Sequence, residues 1–209
     1  MKTKTILSFF LIVTISIQNL SAQSLRKKLI KNIQEISEQF NTITEKRKKE
    51  LVQIAFKIHE SSLDKDRNGV VFIDKHNTQN SQLAMIWLKT AFNYYNLTID
   101  VNSAGIEENS NKPLTNLSGL SNYGFTVKNA NMKNSNKYWV GYGHSTSWLV
   151  FSKTFTEVKA NQKSTVNILV DDLKIDNDNI NLKLEFSDNG NLPLHILYIA
   201  SHINNLIKN

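Results

Sequence analysis

The sequence contains no cysteine among its 209 residues. Disulfide bonds, thiol nucleophiles and cysteine-ligated metal sites are therefore excluded, and a packed core alone must stabilise the fold. Proline and glycine are also scarce, with 2 and 7 residues, and no stretch rich in either divides the chain. No apolar run reaches the ~20 residues that a membrane-spanning helix requires. We therefore expect one main domain without a membrane span, and nothing in the composition points to a cofactor or a bound metal.

The N-terminal residues have the order of a secretory signal peptide. Lys2 and Lys4 precede an apolar stretch from Ile6 to Ile17, and the small residue Ala22 offers a cleavage position. We expect residues 1–22 to be removed and the mature chain to be exported, either into a periplasm or out of the cell.

Positive charge exceeds negative charge, with a formal net charge of +7. Basic runs can bind nucleic acid or membrane surfaces. The one dense run, EKRKKE at 45–50, contains two glutamates and stands at the start of a predicted helix. A solvated helix face explains this run better. We expect no nucleic-acid partner, and the sequence leaves open a protein partner or a small ligand.

Helical periodicity and short β-branched runs alternate along the chain. The apolar spacing predicts helices over 25–40, 45–60, 80–93 and from Pro193 onward. A capping box from Thr42 to Glu45 would open the second of them. Short strands are predicted at 70–73, 98–101, 125–127, 147–151, 166–170 and 182–186.

This alternation predicts an α/β protein, a three-layer sandwich with a mainly parallel central sheet. No repeat or linker separates the first two helices from the rest. We expect residues 23–66 to form an N-terminal helical extension docked on the core, and residues 67–209 to form the α/β domain.

One candidate metal site begins before the first strand. Asp64, Asp66, Asn68 and Gly69 match the start of an EF-hand loop, whose twelfth position should be a bidentate glutamate. That position is Lys75, a cation. We therefore expect a turn before a strand, and no metal site.

A second candidate is the segment GYGHSTS at 141–147, which has a serine, Ser145, in the setting of a nucleophile elbow. The pattern fails because Ser147 occupies the position of the last glycine, which the tight turn needs. His195 and His202 could act as bases, but many chains of this length offer such combinations. His59 and His144 show no zinc-site spacing.

The strongest candidate is the segment from strand 70–73 through a polar loop into helix 80–93. A loop that wraps onto a helix N-terminus directs backbone N–H groups at one point, where an oxyanion is stabilised. Its loop, DKHNTQNSQ at 74–82, resembles that of the low-molecular-weight phosphotyrosine phosphatases and the related arsenate reductases. The matching positions are His76, Asn77, Ser81 and Gln82, with Thr78 in place of a serine. NSAGIE (102–107), YGF (123–125) and FSK (151–153) also resemble segments of that family, over about residues 42–209.

The resemblance implies the fold of that family but not its chemistry. Asp74 stands where the family has its nucleophilic cysteine, and Asn80 stands where it has its arginine. Asp188 matches the family's general acid loosely, since Asn189 replaces the proline that follows it. A carboxylate beside a phosphate dianion costs roughly a few kcal/mol, and losing the guanidinium removes a bidentate contact. We therefore predict a pseudoenzyme without catalytic residues, whose binding loop consists of His76, Asn77, Thr78, Asn80 and Ser81.

Two other functions remain open. Asp74 could act as a nucleophile in a metal-assisted phosphate-ester hydrolase, with Asp171 and Asp172 at the same sheet edge. Alternatively, the pocket could bind a small neutral or cationic ligand. The walls of such a pocket could be Tyr138, Trp139, Tyr142 and Trp148.

Overall fold

The computed structural model describes residues 25–64, 69–107, 113–115, 117–130, 136–161, 165–171, 182–186 and 191–208. Its helices are α1 (Lys27–Ser37), α2 (Glu45–Ser62), α3 (Asn80–Tyr95), α4 (Phe155–Asn161) and α5 (Leu192–Lys208), with 3-10 turns at Glu38–Thr42 and Leu117–Tyr123. Its strands are β1 (Gly69–Asp74), β2 (Asp100–Gly105), β3 (Thr126–Asn129), β4 (Tyr138–Gly141), β5 (Ser147–Val150), β6 (Val166–Leu169) and β7 (Leu182–Lys183). None of the helices in these ranges is long and apolar enough to cross a bilayer. The expected signal peptide, 1–22, lies outside the described residues.

A four-stranded parallel sheet in the order β2-β1-β6-β7 forms the centre of the fold. β1 pairs with β2 along its whole length, from Gly69 opposite Asp100 to Asp74 opposite Gly105. Every residue of β1 is buried, because both faces of the sheet are covered, as is usual for parallel strands. The parallel direction brings the carboxyl ends of β1, β2 and β6 to one edge of the sheet. Asp74 is the last residue of β1 at this edge.

Helices cover both faces of the central sheet. Val70 and Phe72 of β1 belong to the large apolar core, which also holds buried residues of α1, α2, α3 and α5. Val71 and Ile73 belong to a smaller cluster with Val158 of α4. The alternation along β1 therefore separates two helical layers. The predicted α/β class with a mainly parallel central sheet is confirmed.

Three strands do not join the central sheet. β3, β4 and β5 form a separate antiparallel sheet in that order; the strands predicted at 125–127 and 147–151 correspond to β3 and β5 of this second sheet, which was not predicted. Residues 130–137 and 142–146 connect these strands, and both connections are shorter than the dozen or more residues that a crossover between parallel strands requires. β4 has no counterpart among the predicted strands.

Two strands of the central sheet differ in length from the prediction. The strand predicted at 98–101 begins at Asp100 and continues to Gly105, because it follows β1 to its end. The strand predicted at 182–186 contains only Leu182–Lys183, which pair with two residues of β6 at the edge of the sheet.

The first two helices pack into the same core as the sheet. Thr44, and not Thr42, caps α2: it has extended backbone angles, and its hydroxyl accepts the N–H of Arg47 at 3.3 Å. The capping box predicted from Thr42 to Glu45 is therefore wrong, since the helix begins one residue after Thr44. Six buried residues of α1 and α2 lie in the large core: Leu29, Ile33, Leu51, Ile54, Ala55 and Ile58.

Candidate functional site

The loop at 75–79 connects β1 to α3 at the carboxyl edge of the central sheet. Asn77 has a φ of 55°, in the left-handed region that asparagine adopts more readily than most residues. α3 begins at Asn80, and the side chain of its N-cap residue, Gln79, makes no capping hydrogen bond. The N–H groups of the loop and of the helix start must therefore find another acceptor.

The carboxylate of Asp74 is that acceptor. Oδ1 accepts the N–H of His76 at 3.0 Å and the N–H of Asn77. Oδ2 accepts the N–H of Gln79 at 3.3 Å, the N–H of Ser81 at 3.1 Å and the Ser81 hydroxyl at 2.6 Å. The residue is only 2% exposed. We call these donors, from His76, Asn77, Gln79 and Ser81, the cradle. The group that fills the cradle is the carboxylate of Asp74, which belongs to the chain itself.

Asn77 fixes the shape of the loop. Its side-chain amide donates to the carbonyl of Ser103 on β2 and to the carbonyl of Lys153, each at 3.2 Å. Its own carbonyl accepts the Gln82 amide and the Ser152 hydroxyl, each at 3.1 Å. The loop is thus tied to the neighbouring strand, to α3 and to the segment after β5. A loop held on three sides keeps its N–H groups aimed at Asp74.

Gly105, at the end of β2, allows the loop to approach this closely. A Cβ at this position would lie 2.6 Å from the carbonyl carbon of His76 and 2.8 Å from the nitrogen of Asn77. Both distances are shorter than side-chain carbons tolerate, and both atoms belong to the backbone. The role of Gly105 was not predicted; its only signal in the sequence is a glycine at the end of a strand, within the NSAGIE segment.

Asp171 is the second carboxylate at this edge. Its Oδ2 accepts the N–H of Lys75 at 3.3 Å, and its Oδ1 lies 3.5 Å from the amide nitrogen of Asn80. Burial raises the pKa of Asp171 above its ordinary value, and the charge of Asp74 raises it further. Asn80 therefore contacts a carboxylate, at the position where an arginine would hold a phosphate in the family that the sequence resembles.

His76 and Thr78 also interact with residues outside the loop. The Nδ1 atom of His76 lies 3.8 Å from a carboxylate oxygen of Glu107. The carbonyl of Thr78 accepts the N–H and the hydroxyl of Thr115, at 2.8 and 3.1 Å. Of the predicted loop residues, His76, Asn77 and Ser81 donate backbone N–H groups to Asp74, whereas the side chain of Asn80 contacts Asp171.

The other predicted site residues lie elsewhere. Asp172 and Asp188 fall outside the described residues. Tyr142 and Trp148 stack at 3.9 Å between ring centroids in the antiparallel sheet. Trp139 is 42% exposed and lines a cavity to which none of the residues 74–82 contributes. The predicted aromatic wall therefore does not belong to the loop.

The weaker candidates can be placed as well. β1 begins at Gly69, where an EF-hand loop would still be coordinating its ion, and Lys75 forms an ion pair with Glu107 at 3.4 Å. Ser145 lies in the turn between β4 and β5, not between a strand and a helix. Within the ranges that the structure describes, no three acidic or histidine side chains form a group that could hold a metal ion.

Comparisons with known proteins give two structural matches to report. No family model and no curated protein matches the chain. The thioredoxin-dependent arsenate reductase of Corynebacterium glutamicum is 17% identical, with 86% of this chain and 94% of that chain covered and a TM-score of 0.37. A low-molecular-weight phosphotyrosine phosphatase of Vibrio cholerae is also 17% identical, with 67% of this chain and 94% of that chain covered and a TM-score of 0.40. Similarity at this level assigns no activity to this chain.

Proposed function

We propose that this chain is an exported, non-catalytic protein related to the phosphotyrosine phosphatases and arsenate reductases, with a binding or scaffolding role. One observation carries the proposal: the carboxylate of Asp74 accepts four backbone N–H groups and one hydroxyl, the kind of donors that a loop of this shape would offer to an external oxyanion. Export rests on the signal-peptide order of residues 1–22. The relationship rests on the sequence of the loop at 74–82.

Electrostatics supports the absence of phosphate chemistry. A phosphate dianion at 4 Å from the Asp74 carboxylate would be repelled by about 8 kcal/mol, taking ~4 kcal/mol for each pair of unit charges at an effective dielectric near 20. The ionised form of Asp171 would add to this repulsion. No arginine stands in the loop to offset it. Since the donors are already satisfied, binding a phosphate would also require breaking their bonds to Asp74.

A metal-assisted hydrolase has less support. A nucleophilic carboxylate needs an oxygen with lone pairs directed at the substrate, whereas both oxygens of Asp74 accept hydrogen bonds and the residue is 2% exposed. The same burial argues against Asp74 as the counter-ion of a small cationic ligand. No observation in the described residues favours either function over the non-catalytic one.

Aryl-phosphate hydrolysis by the purified protein tests the proposal. The assay covers pH 4 to 8, with and without Mg²⁺, and an active low-molecular-weight phosphatase serves as the positive control. We expect a rate at background under every condition. A clear rate that is lost in the Asp74→Ala variant would contradict the proposal, and dependence of that rate on Mg²⁺ would indicate the metal-assisted reaction instead.

A further inference from the structure

A second polar surface lies on the solvent side of the antiparallel sheet, away from the loop. It is a cleft of about 400 Å³, within the range of small-molecule sites. Its lining residues include three basic side chains and four hydroxyls, and none of them is acidic: Arg26, Thr126, Lys128, Trp139, Gly141, Gly143, His144, Ser145, Thr146 and Ser147.

The strand register explains why these residues share one face. Thr126, Gly141 and Ser147 are direct partners across the three strands, and Lys128 is the partner of Trp139. Because side chains alternate along a strand, all five positions face the same side of the sheet. Alternate residues of the same strands, Val127, Val140 and Trp148, pack on the large core. The cleft is therefore the outer face of a sheet whose inner face is buried.

Gly141 provides the floor of the cleft. A Cβ there would collide with the hydroxyl of Thr126 and lie 3.5 Å from a terminal nitrogen of Arg26. Any side chain at this position would fill the space between the sheet and the guanidinium. Access to Arg26 from this side therefore depends on a glycine at position 141.

Arg26 is held in place by its neighbours. Its Nε donates to the carbonyl of Gly143 at 2.9 Å, and its backbone N–H donates to the carbonyl of Tyr142 at 3.0 Å. Neither partner is charged, so the positive charge is not neutralised by these contacts. A guanidinium oriented through Nε leaves its terminal N–H groups for an anion that can accept two of them, such as a carboxylate or a phosphate.

Trp139 adds a flat apolar surface beside these cations. Its side chain is 42% exposed, and its cross-strand neighbour is Lys128. Exposed tryptophan next to cationic donors is suited to a ligand with a ring and a negative group. We propose that this cleft binds a small organic anion that carries a ring, with its charge on Arg26 and Lys128 and its ring on Trp139.

Ligand titration followed by tryptophan fluorescence and thermal unfolding tests this site. The probes are benzoate and phenylphosphonate, which carry a ring and a charge, and the controls are acetate, without a ring, and benzyl alcohol, without a charge. None of these probes is a phosphate ester, so the result does not depend on activity at Asp74. We expect saturable binding of the ring-bearing anions only, and a Kd that rises with salt.

Two variants on the solvent face locate the bound probe, and one matched variant controls for net charge. Lys128→Gln should weaken binding about tenfold, because it removes a charged donor. Trp139→Ala should weaken it by a similar factor, whereas Lys27→Gln, the same charge change on a residue outside the cleft, should change Kd by less than about twofold. Circular dichroism checks that each variant is folded. Any one of three results would overturn the proposal. They are the absence of a saturable signal up to about 10 mM ligand, binding of benzyl alcohol as tight as that of the anions, and equal affinities of the Lys128→Gln and Lys27→Gln variants for the anions.

Discussion

Removing the Asp74 carboxylate should destabilise the protein although it leaves no large cavity. In Asp74→Ala, the backbone N–H groups of His76, Asn77, Gln79 and Ser81 lose the acceptor described above. The Ser81 hydroxyl keeps one alternative, because the side-chain oxygen of Asn77 lies 3.0 Å away. The N–H groups of Asn77 and Ser81 are buried and those of His76 and Gln79 are partly buried, and the loss of a partner by these four donors defines the size of the effect.

The magnitude follows from these four donors. Each unsatisfied buried donor costs about 1–3 kcal/mol, and the two partly buried donors cost less because water can reach them, for a sum of about 4 kcal/mol. Two effects reduce that sum: water can enter the vacated space, and the cost of burying a charge is recovered. We expect a net loss of about 3 kcal/mol in the free energy of unfolding. For a chain of this size that corresponds to a fall in Tm of roughly 6–12 °C.

Urea unfolding and thermal melts, followed by circular dichroism at pH 7, measure this loss. Asp74→Asn separates charge from volume: it keeps the shape of the side chain but turns an N–H₂ group toward N–H donors. We expect a loss of about 2 kcal/mol for this variant. Formate should raise the Tm of Asp74→Ala, by about 1.4 kcal/mol of stabilisation at ten times its Kd, and should leave the parent protein unchanged. If both variants were as stable as the parent, the carboxylate would not be the acceptor that holds the loop.

Two further outcomes are expected at the same edge of the sheet. Asp171→Asn should stabilise the protein at pH 7, because the pKa of Asp171 is raised in the folded state and its ionisation therefore weakens that state. Urea unfolding should show this gain vanishing at about pH 3, where the side chain at position 171 is uncharged in both proteins. Gly105→Ala should cost about 1–3 kcal/mol in urea unfolding, because its Cβ meets the loop backbone. Gly119→Ala, with nothing within 4 Å of its Cβ, is the matched control and should change stability by less than about 0.5 kcal/mol; equal losses for the two glycine variants would contradict the close-approach argument.

The central part of the fold could be predicted because its signals are local. The run VVFI is continuous and apolar, as a strand buried on both faces requires, and it forms most of β1. The helix that follows begins at Asn80, as its apolar spacing predicts. The antiparallel sheet could not be predicted in the same way. Whether the strand at 147–150 pairs with β4 or joins the central sheet depends on distant partners, which short runs of three or four residues do not specify.

The position of the candidate loop between a strand and a helix was predictable, but the orientation of the Asp74 carboxylate within it was not. A polar loop between a buried strand and a helix indicates converging N–H groups wherever it occurs. The sequence also shows that Asp74 and Asn80 stand at the positions of the cysteine and the arginine in the family that it resembles. It does not show which way the carboxylate of Asp74 turns. The sequence also contains no sign that Asn80 contacts Asp171, since 91 residues separate them.

The sequence by itself determined the chemistry that this chain lacks: no thiol, no arginine in the loop, and an acid at the start of it. It also determined the α/β class, because period and apolar content are properties of neighbouring residues. Only the tertiary structure decided that Asp74 fills the cradle. That outcome requires Ser103, Gly105 and Lys153 to hold the loop closed around the carboxylate. These residues come from separate parts of the chain, and the folded packing alone brings their atoms within hydrogen-bond distance of the loop.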